Sequence, residues 1–467
     1  MITSPAWKDK KYAVLGLARS GRATAEALLA AGADVLVWDD RAEARAAFAG
    51  RCAVADPLEA DLAGYAGMVV SPGVPLNTHP IKPHADSSGV PVIGDIELFA
   101  QARAALPRHK VVGITGTNGK STTTALIGHI LRATGRNVVV GGNIGDAILA
   151  QSPPRPGSYY VLELSSYQLD LTHTLACDVA VLLNVTPDHI DRHGDFDGYF
   201  RAKKRLFDMQ QPGGLAVIGI DDNPTSAFFS TLRRQRREEE VIPISAGRVF
   251  ARGVYALGDR VYDALDGASH PVVDLAGVLT LPGRHNAQNA AAALAAVRAL
   301  GVSGRAAAEA MVTFPGLPHR QERVATVEGV TYINDSKATN AEAAVQALGC
   351  YERIRWIVGG RAKDGGLAAA KPQFHRVAKA YLIGEAAEHF ARELDGELSC
   401  EQCGDLAGAI AAATRDARKS GDPGQVVLLS PAAASFDQFT SYEARGDAFR
   451  ALVADQLKLD RTPEGVA

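Results

Sequence analysis

The sequence predicts an α/β protein of about three domains, each a mostly parallel sheet flanked by helices. Three observations lead there. Short apolar runs alternate with alanine-rich helical stretches along the chain, the pattern of parallel strands joined by crossover helices. Two of those runs end in glycine-bearing turns that open a helix, at 16–21 and 116–121. A chain of 467 residues is also longer than one core usually organises.

In the first unit, residues 11–16 read as a strand. Gly16-Leu17-Ala18-Arg19-Ser20-Gly21 turns into a helix to about Ala31, and Asp34 to Trp38 is a second strand ending at Asp39-Asp40-Arg41. This is the Rossmann pattern, with Ala18 in place of the middle glycine and an acidic residue about 20 positions on. Residues 68–70 are a third strand, ending at Ser71-Pro72-Gly73. Strand ends of this kind line the ligand crevice of open α/β sheets. Taken alone, the segment also fits a dinucleotide-binding oxidoreductase, or a βαβ unit without a ligand. Gly94 to Glu97 starts another helix, and Leu106-Pro107-Arg108 reads as a linker.

The second unit starts at Val111-Val112-Gly113-Ile114, an apolar strand followed by Thr115-Gly116-Thr117-Asn118-Gly119-Lys120-Ser121-Thr122. That is strand, phosphate-cradling loop and helix N-terminus, where backbone N–H groups and the helix dipole meet anionic oxygens. Lys120 can reach the outer phosphates, and Ser121 or Thr122 can ligate Mg²⁺. The spacing departs from the strict Walker pattern, because Ile114 stands where its first glycine would fall. Strands near 137–140, 159–164 and 179–184 follow, and they place Glu163 and His189 at C-terminal strand ends on the rim of the loop. Two metal-capable groups there point to Mg²⁺. Read plainly, Lys203, Lys204 and Arg205 on a helix from 200 to 209 are a solvated cationic face, and the mixed-charge run 233–240 is solvated too. Asn286 resembles the N-cap of a helix reaching Leu300, which leaves Asn289 on its first turn, able to face a ligand.

Residues 315–318, Pro-Gly-Leu-Pro, read as a linker to a third α/β unit. His319-Arg320 follows directly. Strands near 330–333, 353–358 and 426–429 deliver polar clusters at 334–340, 359–364 and 430–439, which again suggest one crevice.

Composition excludes several classes. A net charge of −3 leaves no electrostatic footprint for nucleic acid. Five cysteines make no disulfide framework, and Cys400-x-x-Cys403 without a second pair reads as two thiols rather than a zinc site. No apolar leader and no run of about 18 apolar residues is present, so the protein reads as cytoplasmic, with no membrane partner.

Taken together, Gly116-Thr117-Asn118-Gly119-Lys120-Ser121, Asn184-Val185-Thr186-Pro187-Asp188-His189, His319-Arg320-Gln321-Glu322, the run 334–340 and the run 430–439 resemble the Mur ligases, the ATP-dependent amino-acid ligases of peptidoglycan synthesis. The irregular loop spacing is that family's own. The resemblance implies an N-terminal Rossmann-like domain for a UDP substrate at 1–98, a central P-loop ATPase-like domain at 99–316 and a C-terminal Rossmann-like domain for the amino acid at 317–467. It implies UDP-N-acetylmuramoyl-L-alanine and D-glutamate as substrates, ATP, two Mg²⁺ ions and a monomer.

Site roles come from the same resemblance. Arg19, Ser20, Asp39, Asp40, Arg41, Ser71, Pro72, Gly73, Asn143 and His189 would hold the UDP substrate. Gly116 to Thr122, Asn289, Arg320, Asp335 and Lys337 would hold ATP, and Thr339, Lys363, Ser435, Phe436 and Tyr442 the glutamate. Ser121 and Glu163 would hold one Mg²⁺. His189 and Lys204 would hold the other, with Lys204 carbamylated by CO₂, since a carbamate is an oxygen donor and an ammonium is not. Lys203 would face elsewhere. Catalysis would fall to Lys120, His189, Lys204 and Arg320. Tyr442 and the segment around Lys363 depart from the family pattern, so Arg361 competes with Lys363. A folylpolyglutamate synthetase-like ligase is the nearest rival, disfavoured by the full N-terminal domain. An ATP-binding switch that performs no ligation would leave Arg320, Asp335, Lys337 and Ser435 idle.

Overall fold

The computed structural model describes residues 1–362 and 365–456. It holds three sheets in two compact units, one of residues 1–275 and 286–313, the other of 276–285 and 314 onward.

The first unit carries two sheets. The five-stranded sheet runs, edge to edge, Ala53–Val54, Asp34–Trp38, Lys11–Leu15, Gly67–Val70 and Val92–Ile93, all parallel. The order reverses at Lys11–Leu15, so the crevice opens between the ends of Lys11–Leu15 and Gly67–Val70. The nine-stranded sheet places His109–Thr115 between Val179–Leu182 and Ser158–Glu163. These central strands are apolar on both faces, as a sheet covered by helices on both sides requires. One core spans both sheets. They are also joined by Glu97, 2% exposed, whose Oε2 accepts from the His173 and Thr174 amides (2.7 and 2.8 Å) and whose Oε1 accepts from Thr174 Oγ1 (2.7 Å).

The far edge of the large sheet turns antiparallel over Val254–Leu257, Arg260–Asp263 and His270–Asp274. Parallel βαβ reasoning does not anticipate this edge. Its signal is local: Gly258, at φ +57°, and Asp259 separate two alternating runs, a two-residue hairpin turn. The helix near 286 begins at Gly283, so Asn286 is not its N-cap but a buried residue of its first turns.

The second unit holds six strands in the order Glu322–Val327, Val330–Asn334, Gln425–Leu429, Ile354–Gly359, Val377–Ile383 and Cys400–Gly404. Only the first pair is antiparallel. Two apolar cores cover its faces. Cys400 and Cys403 are free thiols on the edge strand. Among the described residues no helix is long and apolar enough to cross a membrane.

Candidate active site

The loop after His109–Thr115 takes its shape from two glycines, Gly116 at φ +152° and Gly119 at φ +84°. A side chain at 119 would be strained there, and its Cβ would lie 2.2 Å from Asn289 Oδ1. The loop is laced to the next strand end. The Thr117 and Asn118 amides donate to the Asn184 carbonyl and to Asn184 Oδ1, both at 2.9 Å. Thr117 Oγ1 meets Tyr199 Oη at 3.0 Å and accepts from the Thr186 amide at 3.0 Å. Ser121 and Thr122 open the helix Lys120–Ala133, each 7% exposed. Asn289 packs against this helix, where Thr123 Oγ1 donates to its Oδ1 at 3.3 Å.

Lys120 Nζ folds back on its own loop, donating to the carbonyls of Gly116 (2.9 Å) and Thr117 (2.7 Å). A second lysine reaches the same place. Lys203, 1% exposed, donates from Nζ to the Gly116 carbonyl at 2.9 Å. Burial drives its amine well below the ordinary lysine value, and Lys120 adds to the effect against Asp188 and Glu163. Lys204 is elsewhere, with Nζ 4.9 Å from the centroid of the Phe200 ring. This corrects the assignment of Lys204: neighbours on a helix point about 100° apart, and Lys203 is the one aimed at the loop. The signal was in the sequence. Tyr199, Ala202, Lys203, Leu206 and Phe207 are the buried residues of Phe196–Asp208, at spacings of 3, 4, 7 and 8, so Lys203 lies on the apolar stripe.

Glu163 ends its strand 2% exposed. Its Oε1 accepts from Asn143 Nδ2 at 2.9 Å, and among the described residues its buried Oε2 has no partner. A buried, unpartnered carboxylate oxygen beside a phosphate loop suits a hard cation, so the residues present fit Mg²⁺. His189 sits at φ +52° with Nδ1 3.1 Å from Tyr167 Oη and Nε2 3.4 Å from Asp188 Oδ2. Among the described residues no three His, Cys, Asp or Glu cluster into a complete cage. Mg²⁺ needs none, since it is commonly held by one or two carboxylates together with substrate phosphates and water.

In the five-stranded sheet a cavity of about 290 Å³ is lined by Gly16, Trp38, Asp39, Asp40, Gly73 and Val74, among others. Asp39 is consumed in shaping it. Its oxygens accept from Arg41 Nε (2.9 Å) and from the Leu17 amide (2.6 Å), and the Arg41 guanidinium chiefly holds the carboxyl below its ordinary range. Ser71 Oγ donates to the Gly16 carbonyl at 2.8 Å, tying two crevice loops together. Ser20 bonds Asp95, whose carboxyl burial pushes up to about 6.

In the second unit, Asp335 is buried at the end of Val330–Asn334 and accepts from the Gln321 amide (3.1 Å) and Ser430 Oγ (2.8 Å). Burial pushes it up to about 7, opposed by Ser430 and Arg320. Lys337 Nζ donates to Tyr442 Oη at 2.9 Å, and the Thr339 amide to the Lys337 carbonyl at 2.9 Å. Ser435 is 2% exposed and its neighbour Phe436 is 64% exposed. Lys363 lies outside the described residues. Its competitor Arg361 makes a surface ion pair with Glu385 at 3.2 Å. Sequence reasoning missed Arg445, a fully buried cation.

A glycine-bearing loop at a helix N-terminus, flanked by a buried lysine and a buried carboxylate, suits an ATP-using ligase class, and the chain belongs to the Mur ligase family. The Mur ligase middle domain matches residues 114–297 and the Mur ligase glutamate ligase domain residues 319–433. The UDP-N-acetylmuramoylalanine--D-glutamate ligase of Sphingopyxis alaskensis is 52% identical over 97% of this chain and 99% of its own. The enzyme of that name from Caulobacter vibrioides is 51% identical, over 97% of each chain. A MurF ligase from Thermotoga maritima solved in complex with ADP shares the fold, with a TM-score of 0.59 at 17% identity, covering 97% of this chain and 96% of that one. A UDP-N-acetylmuramate-alanine ligase from the same organism gives a TM-score of 0.58 at 16% identity, covering 96% and 99%.

Proposed function

We propose that this protein joins D-glutamate to UDP-N-acetylmuramoyl-L-alanine at the expense of ATP, in the cytoplasmic synthesis of peptidoglycan precursors, as a monomer. The observation that carries the reading is the meeting of Lys120 and Lys203 on the Gly116 carbonyl, in a family whose relatives bear that activity in their names.

The substrate carboxylate attacks the γ-phosphorus of ATP and displaces ADP, and the glutamate amine then attacks the acyl phosphate so formed, giving the amide and releasing phosphate and a proton. Gly116 to Thr122 and Asn289 hold the nucleotide. Lys120 leaves the loop carbonyls for the phosphates and offsets the charge that gathers on the transferring group. Arg320, Asp335 and Lys337 are assigned to ATP, and Thr339, Lys363, Ser435, Phe436 and Tyr442 to glutamate. The cavity at Gly16, Asp39, Asp40 and Gly73, with Arg19, Ser20, Arg41, Ser71 and Pro72, takes the UDP end, and Asn143 and His189 the muramoyl part. The domains are 1–98, 99–316 and 317–467.

Mg²⁺, when bound, supplies charge stabilisation at phosphate oxygens. Ser121 and Glu163 would hold one ion, and His189 with a carbamylated Lys203 the other. Carbamylation joins the uncharged Lys203 amine to CO₂ and releases a proton, which suits a buried lysine held well below its ordinary value. It also places an anion beside Lys120.

The test is phosphate release with ATP, UDP-N-acetylmuramoyl-L-alanine and a panel of amino acids. Release that depends on D-glutamate is expected, and release indifferent to the amino acid would end the proposal.

A further inference from the structure

The strand that delivers Glu163 leads into the short helix Ser166–Asp170, closed by a capping box between Ser165 and Gln168. Its second residue, Tyr167, reaches His189. Tyr167 Oη lies 3.1 Å from His189 Nδ1, and the two ring centroids are 4.9 Å apart, tilted by 52°. The phenol is itself braced. Arg192 Cζ lies 5.5 Å from its ring centroid, and Arg192 Nη2 donates to Asp170 Oδ2 at 3.0 Å. The His193 ring lies 5.7 Å away, with its Nε2 3.0 Å from Ser166 Oγ. The other nitrogen of His189 is placed differently. Nε2 stands 3.4 Å from Asp188 Oδ2, beyond the usual N–H···O distance, and the side chain is 47% exposed. One ring nitrogen is thus engaged within the protein, and the other is left open.

We propose that Tyr167 is a positioning residue whose phenolic oxygen accepts the Nδ1 hydrogen of His189, so that Nε2 keeps its lone pair for Mg²⁺. The inference rests on the ligase reading for the ion, though not for the tautomer. A neutral imidazole has one hydrogen and one lone pair, and the partner of one nitrogen decides what the other presents. Histidines that ligate metals almost always donate their second N–H to a protein acceptor, which also fixes the plane of the ring. Without such a partner the Asp188 carboxylate would draw the hydrogen to Nε2 and block the lone pair. The Tyr167 hydroxyl supplies the competing acceptor, and the contacts around its ring hold it there. The backbone at His189 agrees, since a residue with a side chain stays at φ +52° only where its surroundings hold it. Phenylalanine at 167 would keep the ring packing and lose the acceptor alone.

Nitrogen-15 NMR of the histidine-labelled protein, without Mg²⁺, reads the tautomer directly, with His189→Gln used to assign the His189 signals. In wild type Nδ1 is expected to carry the hydrogen, and Tyr167→Phe should shift the population toward the Nε2-protonated form. In the phosphate-release assay Tyr167→Phe is expected to raise the half-saturating Mg²⁺ concentration about tenfold, the low end of the loss typical when the outer partner of a metal-bound histidine is removed. The KM of glutamate and the ligand-free Tm should not move. Added to His189→Gln, the same substitution should change nothing further, because it acts through His189. Wild type protonated on Nε2, or a variant whose tautomer matches wild type, would overturn the proposal. So would a Mg²⁺ requirement that rises equally with and without His189 while Tm falls, which marks a structural role. Wild-type protein that releases no phosphate in response to glutamate would sink the ligase reading instead and leave the tautomer as measured.

Discussion

Lys120 and Lys203 donate to one acceptor, the Gly116 carbonyl oxygen, each at 2.9 Å. Two ammonium groups so close repel, and burial lowers the Lys203 amine further.

That arrangement separates two neighbouring lysines. Lys203→Ala is expected to lower kcat by about a hundredfold or more, the loss typical of a group that stabilises transferring charge. Small carboxylic acids added to the assay should restore part of it, by standing in for a carbamate. Lys204→Ala, removing a side chain beside Phe200, should stay within about threefold of wild type. Kinetics of both variants decide it, and the reverse ranking would return the role to Lys204.

Glu163 Oε2 is buried without a partner among the described residues, a strain that a cation would relieve. Mg²⁺ together with a non-hydrolysable ATP analogue should raise the Tm of wild type. In Glu163→Gln the Mg²⁺-dependent part of that rise should vanish, while the ligand-free variant should be as stable as wild type or about 1 kcal/mol more so, because an uncompensated buried charge has gone. Thermal melts with and without Mg²⁺ measure both.

Asp335 gives stability a pH dependence. Burial raises its folded value from 3.8 to about 7, above that of the unfolded chain. Between those values the folded state binds more protons than the unfolded one, so this group's contribution falls as pH rises from about 4 to about 7 and stays low above that. Asp335→Asn keeps an acceptor for the Gln321 amide and cannot ionise. Its stability relative to wild type should therefore improve by about 2 kcal/mol between pH 5 and pH 8, read by denaturant unfolding. A difference independent of pH would show that Asp335 is not raised.

Arg445, 1% exposed, donates to the Ser336 carbonyl (2.9 Å), to Ser336 Oγ (2.9 Å) and twice to the Ala433 carbonyl (3.1 Å). Burial pulls its guanidinium down to about 10. It staples the loop carrying Lys337 to the loop carrying Ser435. Arg445→Met fills the space but strands two buried carbonyls, and should destabilise the second unit by about 3 kcal/mol. Unfolding measurements showing less than about 1 kcal/mol would mean that the loops hold each other without it.

Much of this protein was legible because its signals are local. Strand, glycine turn and Lys120-Ser121 fall within a dozen residues, and the alternation of strands and helices places Glu163 at a strand end, whereas His189 lies beyond the end of Val179–Leu182, just before the short helix Ile190–His193. The Rossmann-like start and the polar runs at 334–340 and 430–439 are likewise contiguous, and their order along the chain carries the family.

What needed the fold was whatever depends on direction or on distant partners. Choosing between Lys203 and Lys204 turns on 100° of helix rotation, which adjacency in sequence hides although the apolar stripe records it. The antiparallel edge at 254–274 followed a hairpin turn rather than the crossover pattern around it. Arg445 reads as one more surface arginine until two loops more than ninety residues apart in sequence close over it. The sequence by itself determined which chemistries could be present. Tertiary packing decided which side chain of each pair was desolvated, and desolvation is what turns an ordinary lysine or aspartate into a reactive one.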